Sequence, residues 1–336
     1  MKAIGYYHPL PIDDAASLQD IELPEPMPGA RDLLVQVGAI SVNPVDTKVR
    51  RNAAPEAGQA KVLGWDAVGI VRAVGGGVTG FAVGDRVYYA GSITRPGANS
   101  ELHVVDERIA ALAPKSLDDA QAAALPLTSI TAWELLFDRL GVPKGGGAGQ
   151  SLLIVGGAGG VGSILIQLAR QLTQLQVIAT ASRAETRQWC LDLGAHAVID
   201  HSKPLAGELK AAGLGEVDKV ASLTQTALHY PQIIESLKPQ GAIAVIDDMA
   251  TLDAMPLKTK SLSLHWEMMF ARSRFETPDM AAQGQLLAEV ATLIDAGRLR
   301  TTVGANFGSI SATNLRRAHA QIESGTSQGK VVLAGF

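Results

Sequence analysis

The feature that most constrains this chain is a glycine run, Gly156-Gly157-Ala158-Gly159-Gly160-Val161-Gly162, lying between a short apolar segment and a helical pattern. Leu152-Leu153-Ile154-Val155 has the length and composition of a buried strand, and the helical spacing after the run continues through Leu172. Within the run, Gly157, Gly159 and Gly162 hold the spacing G-x-G-x-x-G. The first glycine permits a tight turn, the second lets backbone N–H groups approach a pyrophosphate, and the third allows the helix to pack on the strand. Gly157, Ala158, Gly159, Gly160, Val161 and Gly162 are therefore expected to cradle a dinucleotide at a helix N-terminus. The other reading is a glycine turn with a packing role alone.

Beyond the run, apolar segments at 177–181, 197–199, 219–222 and 242–246 alternate with helical patterns at 184–193 and 226–237. Buried strands alternating with helices give right-handed parallel βαβ units, and hence a doubly wound sheet. The N-terminal third reads differently. Short β segments at 33–37, 67–74 and 86–90 are separated by Gly and Pro, with no long amphipathic helix. A helix over 129–140 and a glycine-rich loop at 143–150 mark the change of texture. After position 260, a helix over 280–296 and a strand at 331–333 are expected to rejoin the first domain. The chain of 336 residues thus divides into 1–126, 127–260 and a returning segment 261–336, two domains in all.

Charge and cysteine content narrow the function. With 29 basic and 33 acidic residues the net charge is −4, which gives no basic surface for nucleic acid or anionic lipid. The single cysteine, Cys190, excludes an intramolecular disulfide and a cysteine-rich metal cluster, in keeping with a reducing cytoplasm. No signal-peptide pattern opens the chain and no run of about 18 apolar residues follows, so neither export by that route nor a membrane span is expected.

The choice of dinucleotide is made about 20 residues beyond the glycines, where a carboxylate would bind the adenosine ribose of NAD and a cation the 2'-phosphate of NADP. The second strand ends in Thr180-Ala181-Ser182-Arg183, and the first carboxylate after it is Glu185. Ser182 and Arg183 offer a hydroxyl and a guanidinium fork suited to a phosphate dianion, so NADPH is the expected cofactor. The other reading of the pair is a helix N-cap serine followed by a solvated arginine.

The first domain carries Gly64-Trp65-Asp66, then Gly69, Gly75 and Val78, then Gly84-Asp85-Arg86-Val87. This spacing resembles the G-H-E-x-x-G-x-x-x-x-x-G-x-x-V signature of the medium-chain dehydrogenase/reductase superfamily, with Trp65 and Asp66 in place of its His and Glu. Asn43-Pro44-Val45-Asp46, Leu193-Gly194-Ala195 and Gly329-Lys330-Val331-Val332 extend the likeness over nearly the whole chain. The glycine run is similar to that of quinone oxidoreductases and enoyl-type reductases, while residues 271–280 resemble a bacterial group usually named zinc-binding alcohol dehydrogenase family. The resemblance implies an α/β fold, a Rossmann doubly wound parallel sheet plus a mainly β GroES-like catalytic domain.

The likeness to zinc enzymes stops at the ligands. A catalytic zinc takes three protein donors. Here the family's cysteine position falls at Asn43 or its neighbours, its histidine position is Trp65, and Cys190 lies in the nucleotide domain. The seven histidines include no His-x-x-x-His pair, so no metal is expected. The substrate carbonyl must then be polarised by hydrogen-bond donors, with hydride supplied by a nicotinamide. Quinones and α,β-unsaturated carbonyls suit such a site, because conjugation spreads the developing charge.

The resemblance implies Asn43, Asp46 and Thr128 around the nicotinamide. Lys48 stands where many quinone oxidoreductases have a tyrosine. Its ammonium either polarises or protonates the substrate oxygen, or is a surface charge paired with an acidic neighbour. The resemblance also implies His201 beside the adenine ribose, the stretches from Leu223 to Gln225 and from Ile246 to Met249 along the nicotinamide ribose, and Lys330 reaching the cofactor. The expectation is a cytoplasmic, NADPH-dependent reductase of a quinone or conjugated carbonyl, paired as a homodimer through an edge strand near 262–264. The competing expectations are a non-catalytic NADPH-binding protein of the lens-crystallin kind and an alcohol dehydrogenase.

Overall fold

Alternating burial along Asp32–Val42, with Leu33, Val35 and Val37 turned inward, gives way from Ala39 onward to burial of every residue. A strand covered on one face at its start and on both at its end needs partners on each side. In the computed structural model, which describes residues 1–336, it lies within a seven-stranded sheet. The order is Val303–Asn306, Lys330–Ala334, Asp32–Val42, Asp66–Val74, Arg86–Tyr89 and Ala110–Leu112, with Leu102–Asp106 also paired to Asp32–Val42. A smaller sheet joins Gln19–Glu22, Lys2–Tyr6 and Lys61–Val62. These elements belong to one unit, Met1–Ile130 with Phe270–Phe336.

This unit also holds a helix, Pro44–Asn52, that the sequence pattern does not announce. It is nine residues long and mostly polar, so its apolar stripe is weak. Its start is specified chemically instead. Asn43 is the N-cap, Pro44 occupies the first turn, and Asp46 closes a capping box on the Asn43 backbone.

The second unit, Thr131–Met269, is a parallel sheet in the order Ala197–Ile199, Gln176–Thr180, Ser151–Val155, Val217–Ser222, Leu237–Val245, Ser263–Trp266. Numbered along the chain this is 3-2-1-4-5-6, the doubly wound order. Ser151–Val155 is buried throughout because helices cover both faces. On one face Leu153, Val155, Ile178, Val220 and Ile243 pack with Leu205, Leu209, Tyr230 and Ile233 from the helices Leu205–Ala211 and Thr226–Ser236.

Three boundaries differ from the sequence reading. Residues 127–130, expected in the nucleotide domain, stay with the first unit. Residues 261–269 stay with the nucleotide-type unit, because Ser263–Trp266 pairs in parallel with Leu237–Val245 and Leu262 and Leu264 pack on its core. The helix expected over 129–140 starts earlier, as Pro126–Trp133, and passes into a π-helical turn, Glu134–Arg139.

Candidate active site

The glycine run forms the turn between Ser151–Val155 and the helix Gly160–Leu172, with Gly159 as a cap that has no side chain. Three of its glycines are required by the protein itself, Gly156 by its left-handed φ of +87°. A Cβ on Gly162 would lie 2.5 Å from the carbonyl oxygens of Gly156 and Gly157, and one on Gly157 would lie 2.7 Å from Ala179 Cβ. Gly159 is different, since a Cβ there would meet nothing nearer than Gly156 O at 3.5 Å. Internal packing does not demand glycine at that position, whereas close approach of a phosphate to the helix N-terminus does. Val161, Gly160 and Ala158 complete the turn, so the backbone donors fit a dinucleotide pyrophosphate.

The turn lies at the carboxyl edge of the sheet, where strands 1 and 4 diverge and α/β sheets take their ligands. Thr180, at the end of strand 2, ties this edge together. Its hydroxyl oxygen accepts from Gly156 N at 3.0 Å and lies 3.1 Å from His201 Nδ1, while its carbonyl accepts from Gly157 N at 3.1 Å. His201 therefore sits beside the glycine turn, its pKa lowered first by burial and partly restored by Asp200. His229 packs edge-on against it, 6.0 Å between ring centres.

Ser182 and Arg183 follow strand 2 and are both exposed. Arg183, not Ser182, is the N-cap residue of the helix Ala184–Asp192, which removes the capping reading of the serine. The Arg183 guanidinium is 3.2 Å from Glu185 in a solvent-exposed pair. Leu223, Gln225 and Ile246 follow strands 4 and 5. Leu223 N donates to Val155 O at 3.2 Å, Ile246 N to Ser222 O at 3.3 Å, and Gln225 adopts a left-handed φ of 49° just before the helix Thr226–Ser236. Asp247, inside the stretch 246–249 that the resemblance assigns to the nicotinamide ribose, accepts from Thr226 N at 2.9 Å and from the Thr226 hydroxyl, fixing the start of that helix.

Beyond strand 6 the buried Glu267 meets Arg139 Nε at 2.8 Å and lies against the buried Glu134. Burial, and then the neighbouring carboxyl, push the Glu267 pKa up to about 9, with Arg139 opposing. Cys190 is buried and its thiol is pushed up to about 12 by desolvation, which makes it a packing residue.

In the first unit, the predicted catalytic residues gather around a buried ion pair. Asp66 is fully buried; its Oδ2 accepts from Lys330 Nζ at 3.0 Å and from Asn43 Nδ2 at 2.8 Å, and its Oδ1 accepts from Leu127 N at 2.7 Å. Lys330 Nζ donates further to Val42 O at 3.2 Å and to Asn43 Oδ1. An ammonium has three donors and all three are engaged, so Lys330 holds Asn43 and Asp66 and has none left for the cofactor expected of it. Asn43 is likewise committed. Its amide gives a proton to Asp66 and accepts from Lys330, which fixes its orientation and removes it as a carbonyl-polarising donor.

Asp46 is a positioning residue as well. Its two oxygens accept from Asn43 N at 2.6 Å and Gly64 N at 3.0 Å. Gly64 presents that N–H from φ +93°, a conformation that favours glycine. Burial pushes the Asp46 carboxyl up to about 7 against the opposing effects of the backbone bond and Lys330. Thr128 is buried and its hydroxyl donates to Leu125 O at 3.2 Å, so its proton is also spent. Lys48 differs from these four, because it stands on the exposed face of Pro44–Asn52, opposite Asp46, Thr47 and Arg50.

The residues at the zinc-ligand positions that the resemblance implies do not fit a family zinc. Asn43 is bonded to Lys330 and Asp66, Trp65 gives its indole N–H to Ser92 O at 3.0 Å, and no group of three His, Cys, Asp or Glu side chains able to hold a metal gathers in the chain. One ammonium, one amide and one carboxylate do not make a tetrahedral zinc set.

Comparison with known proteins places the chain. Residues 29–115 match the alcohol dehydrogenase GroES-like domain, and residues 193–333 match the zinc-binding dehydrogenase model. A zinc-type alcohol dehydrogenase-like protein of Staphylococcus aureus is 40% identical over 339 residues, 99% of each chain. A crystal structure from Rhizobium etli CFN 42, described provisionally as a zinc-dependent alcohol dehydrogenase, is 58% identical with a TM-score of 0.96 over 100% of this chain and 98% of that one. The Escherichia coli quinone oxidoreductase in complex with NADPH is 26% identical with a TM-score of 0.83, covering 99% and 100%. With its GroES-like unit, its doubly wound unit and relatives aligned end to end, the chain belongs to the medium-chain dehydrogenase/reductase superfamily, among the zinc-type alcohol dehydrogenase-like proteins.

Proposed function

We propose that this oxidoreductase is an NADPH-dependent reductase that transfers hydride to a quinone or an α,β-unsaturated carbonyl without zinc. The observation that carries the reading is the buried Lys330–Asp66–Asn43 cluster, which puts hydrogen-bonding groups where a Lewis acid would be needed for alcohol chemistry. The bound reduced nicotinamide supplies the hydride. The first turn of Gly160–Leu172 directs backbone N–H groups at the pyrophosphate. Ser182 and Arg183 donate to the adenosine 2'-phosphate, Arg183 exchanging its exposed Glu185 partner for a more highly charged one. The Escherichia coli quinone oxidoreductase bound to NADPH supports the same cofactor and substrate class.

The protons of Lys330 and Thr128 and one proton of the Asn43 amide are committed inside the unit, and on this reading the exposed Lys48 ammonium meets the substrate oxygen. A quinone or enone oxygen gains negative charge as hydride arrives at a conjugated carbon, and an ammonium stabilises that charge. One proton per hydride then completes the hydroquinone or saturated carbonyl, delivered by Lys48 or by water.

The test is cofactor consumption by purified protein with a quinone, an enone and, in reverse, a primary alcohol with NADP. NADPH oxidation by the first two, unchanged by a chelator, is the expected result. Turnover confined to the alcohol and abolished by chelation would reject the reading.

A further inference from the structure

The donor set that fails to fit zinc is nevertheless built around a cation. Lys330 Nζ sits among Val42 O, Asn43 Oδ1 and Asp66 Oδ2, a carbonyl, an amide and a carboxylate oxygen contributed by two strands and a helix cap. All of it is out of water: Asn43 is 1% exposed, Asp66 0% and Lys330 3%. The spacings suit an N–H donor. Separations of 3.0 Å to Asp66 and 3.2 Å to Val42 are hydrogen-bond lengths, whereas zinc–oxygen bonds run about 2.0–2.2 Å. A metal would have to displace the ammonium and draw the oxygens in by about 1 Å, against a capping box and a backbone bond that hold them.

We propose that the Lys330 ammonium is the resident cation of this site: it neutralises buried Asp66, orders Asn43 and the Leu127 amide through that carboxylate, and bars divalent metal from positions where relatives are named for zinc. Lys330 is thus a positioning residue that does by hydrogen bonding what a metal does by coordination, and it sets the entry of the helix carrying Thr128. The inference is independent of substrate and of cofactor preference, since it concerns only which cation the first unit holds.

The consequence is specific. Lys330→Ala leaves an uncompensated buried carboxylate facing oxygen donors, a set suited to a hard divalent ion such as manganese. The experiment compares wild type, Lys330→Ala and the double variant Asp66→Asn/Lys330→Met, each incubated with manganese or zinc and desalted. Metal per chain is read by elemental analysis, the manganese environment by electron paramagnetic resonance, and thermal unfolding with and without metal. Wild type is expected to retain well under one metal per chain and to melt unchanged by either ion. Lys330→Ala is expected to melt roughly 5–15 °C lower, as for breaking a buried ion pair, and to regain part of that loss with about one manganese bound. The double variant, with both charges gone, is expected to fold and bind no metal, which keeps the test open if the single variant does not fold. A wild-type chain that retains one zinc after desalting, absent from the double variant, would overturn the proposal. So would a Lys330→Ala protein that melts like wild type and takes up nothing.

Discussion

At the scale of single residues, two side chains carry predictions that separate binding from catalysis. Arg183 is exposed and its partner Glu185 is exposed too, a kind of pair worth about 0–1 kcal/mol. Exchanging that partner for a phosphate dianion should gain about 1.5–3 kcal/mol. Arg183→Ala should therefore weaken NADPH binding roughly 10- to 100-fold and leave NADH nearly unchanged, as fluorescence titration with each cofactor would reveal. Equal losses for both would remove the 2'-phosphate from its role. Lys48 carries the prediction about the chemical step. If its ammonium stabilises charge that develops only as hydride arrives, Lys48→Met should lower kcat by about two to three orders of magnitude with little change in KM. Single-turnover oxidation of bound NADPH by a quinone measures this directly, and an unaltered rate would leave water as the donor.

At the scale of elements, the pattern of sequence was informative where burial is repetitive and silent where it is not. The central strands of the second unit are short apolar runs covered on both faces, so Leu152 to Val155 could be read almost to the residue, as could the apolar run Ala197 to Ile199 nearer the edge. The helix Pro44–Asn52 could not, because its start rests on the Asn43–Asp46 capping box and its buried face includes Asp46, Thr47 and Arg50. The glycine turn was legible because its glycine spacing lies within a few residues, even though Gly157 is also held to glycine by Ala179 on the next strand. The Lys330 cluster was not, since its ammonium finds partners 264 and 287 positions away. The π-helical turn Glu134–Arg139 was missed for a related reason: it is bound up with Arg139 reaching Glu267 on another element. That contact has a pH signature. The folded chain keeps a proton on Glu267 that the unfolded chain releases above the ordinary carboxylate range, so folding stability falls as pH rises from about 4.5 to about 9. Glu267→Gln, which preserves the neutral form, should flatten the decline in melting temperature across that window. A decline between pH 7 and 9, above the range to which the Asp46 carboxyl is raised, that persists unchanged in the variant would mean that the Glu267 carboxyl is ionised in the folded state.

At the scale of the whole molecule, the open question is what covers the last strand of the second unit. Ser263–Trp266 is bonded to Leu237–Val245 on one side only, and the sheet ends there. An uncovered edge offers a row of unpaired N–H and C=O groups, and soluble proteins usually blunt it with lysine, proline or an inward charge. Ser263-Leu264-His265-Trp266 has none of these, and Trp266 is 50% exposed with Met268 at 46% just beyond it. The simplest cover is the same strand of a second copy, running antiparallel about a two-fold axis so that each edge satisfies the other. Such pairing brings the two Trp266 side chains toward a shared surface, and their large apolar area would contribute to it. Sedimentation of the wild type should therefore give twice the chain mass at micromolar concentration. Trp266→Glu, which sets like charges across the axis, should shift the equilibrium toward monomer. NADPH binding should survive in that monomer, because Ser182, Arg183 and the glycine turn belong to other strands of the sheet. A wild type that stays monomeric at every concentration tested would show that this edge is left open to water.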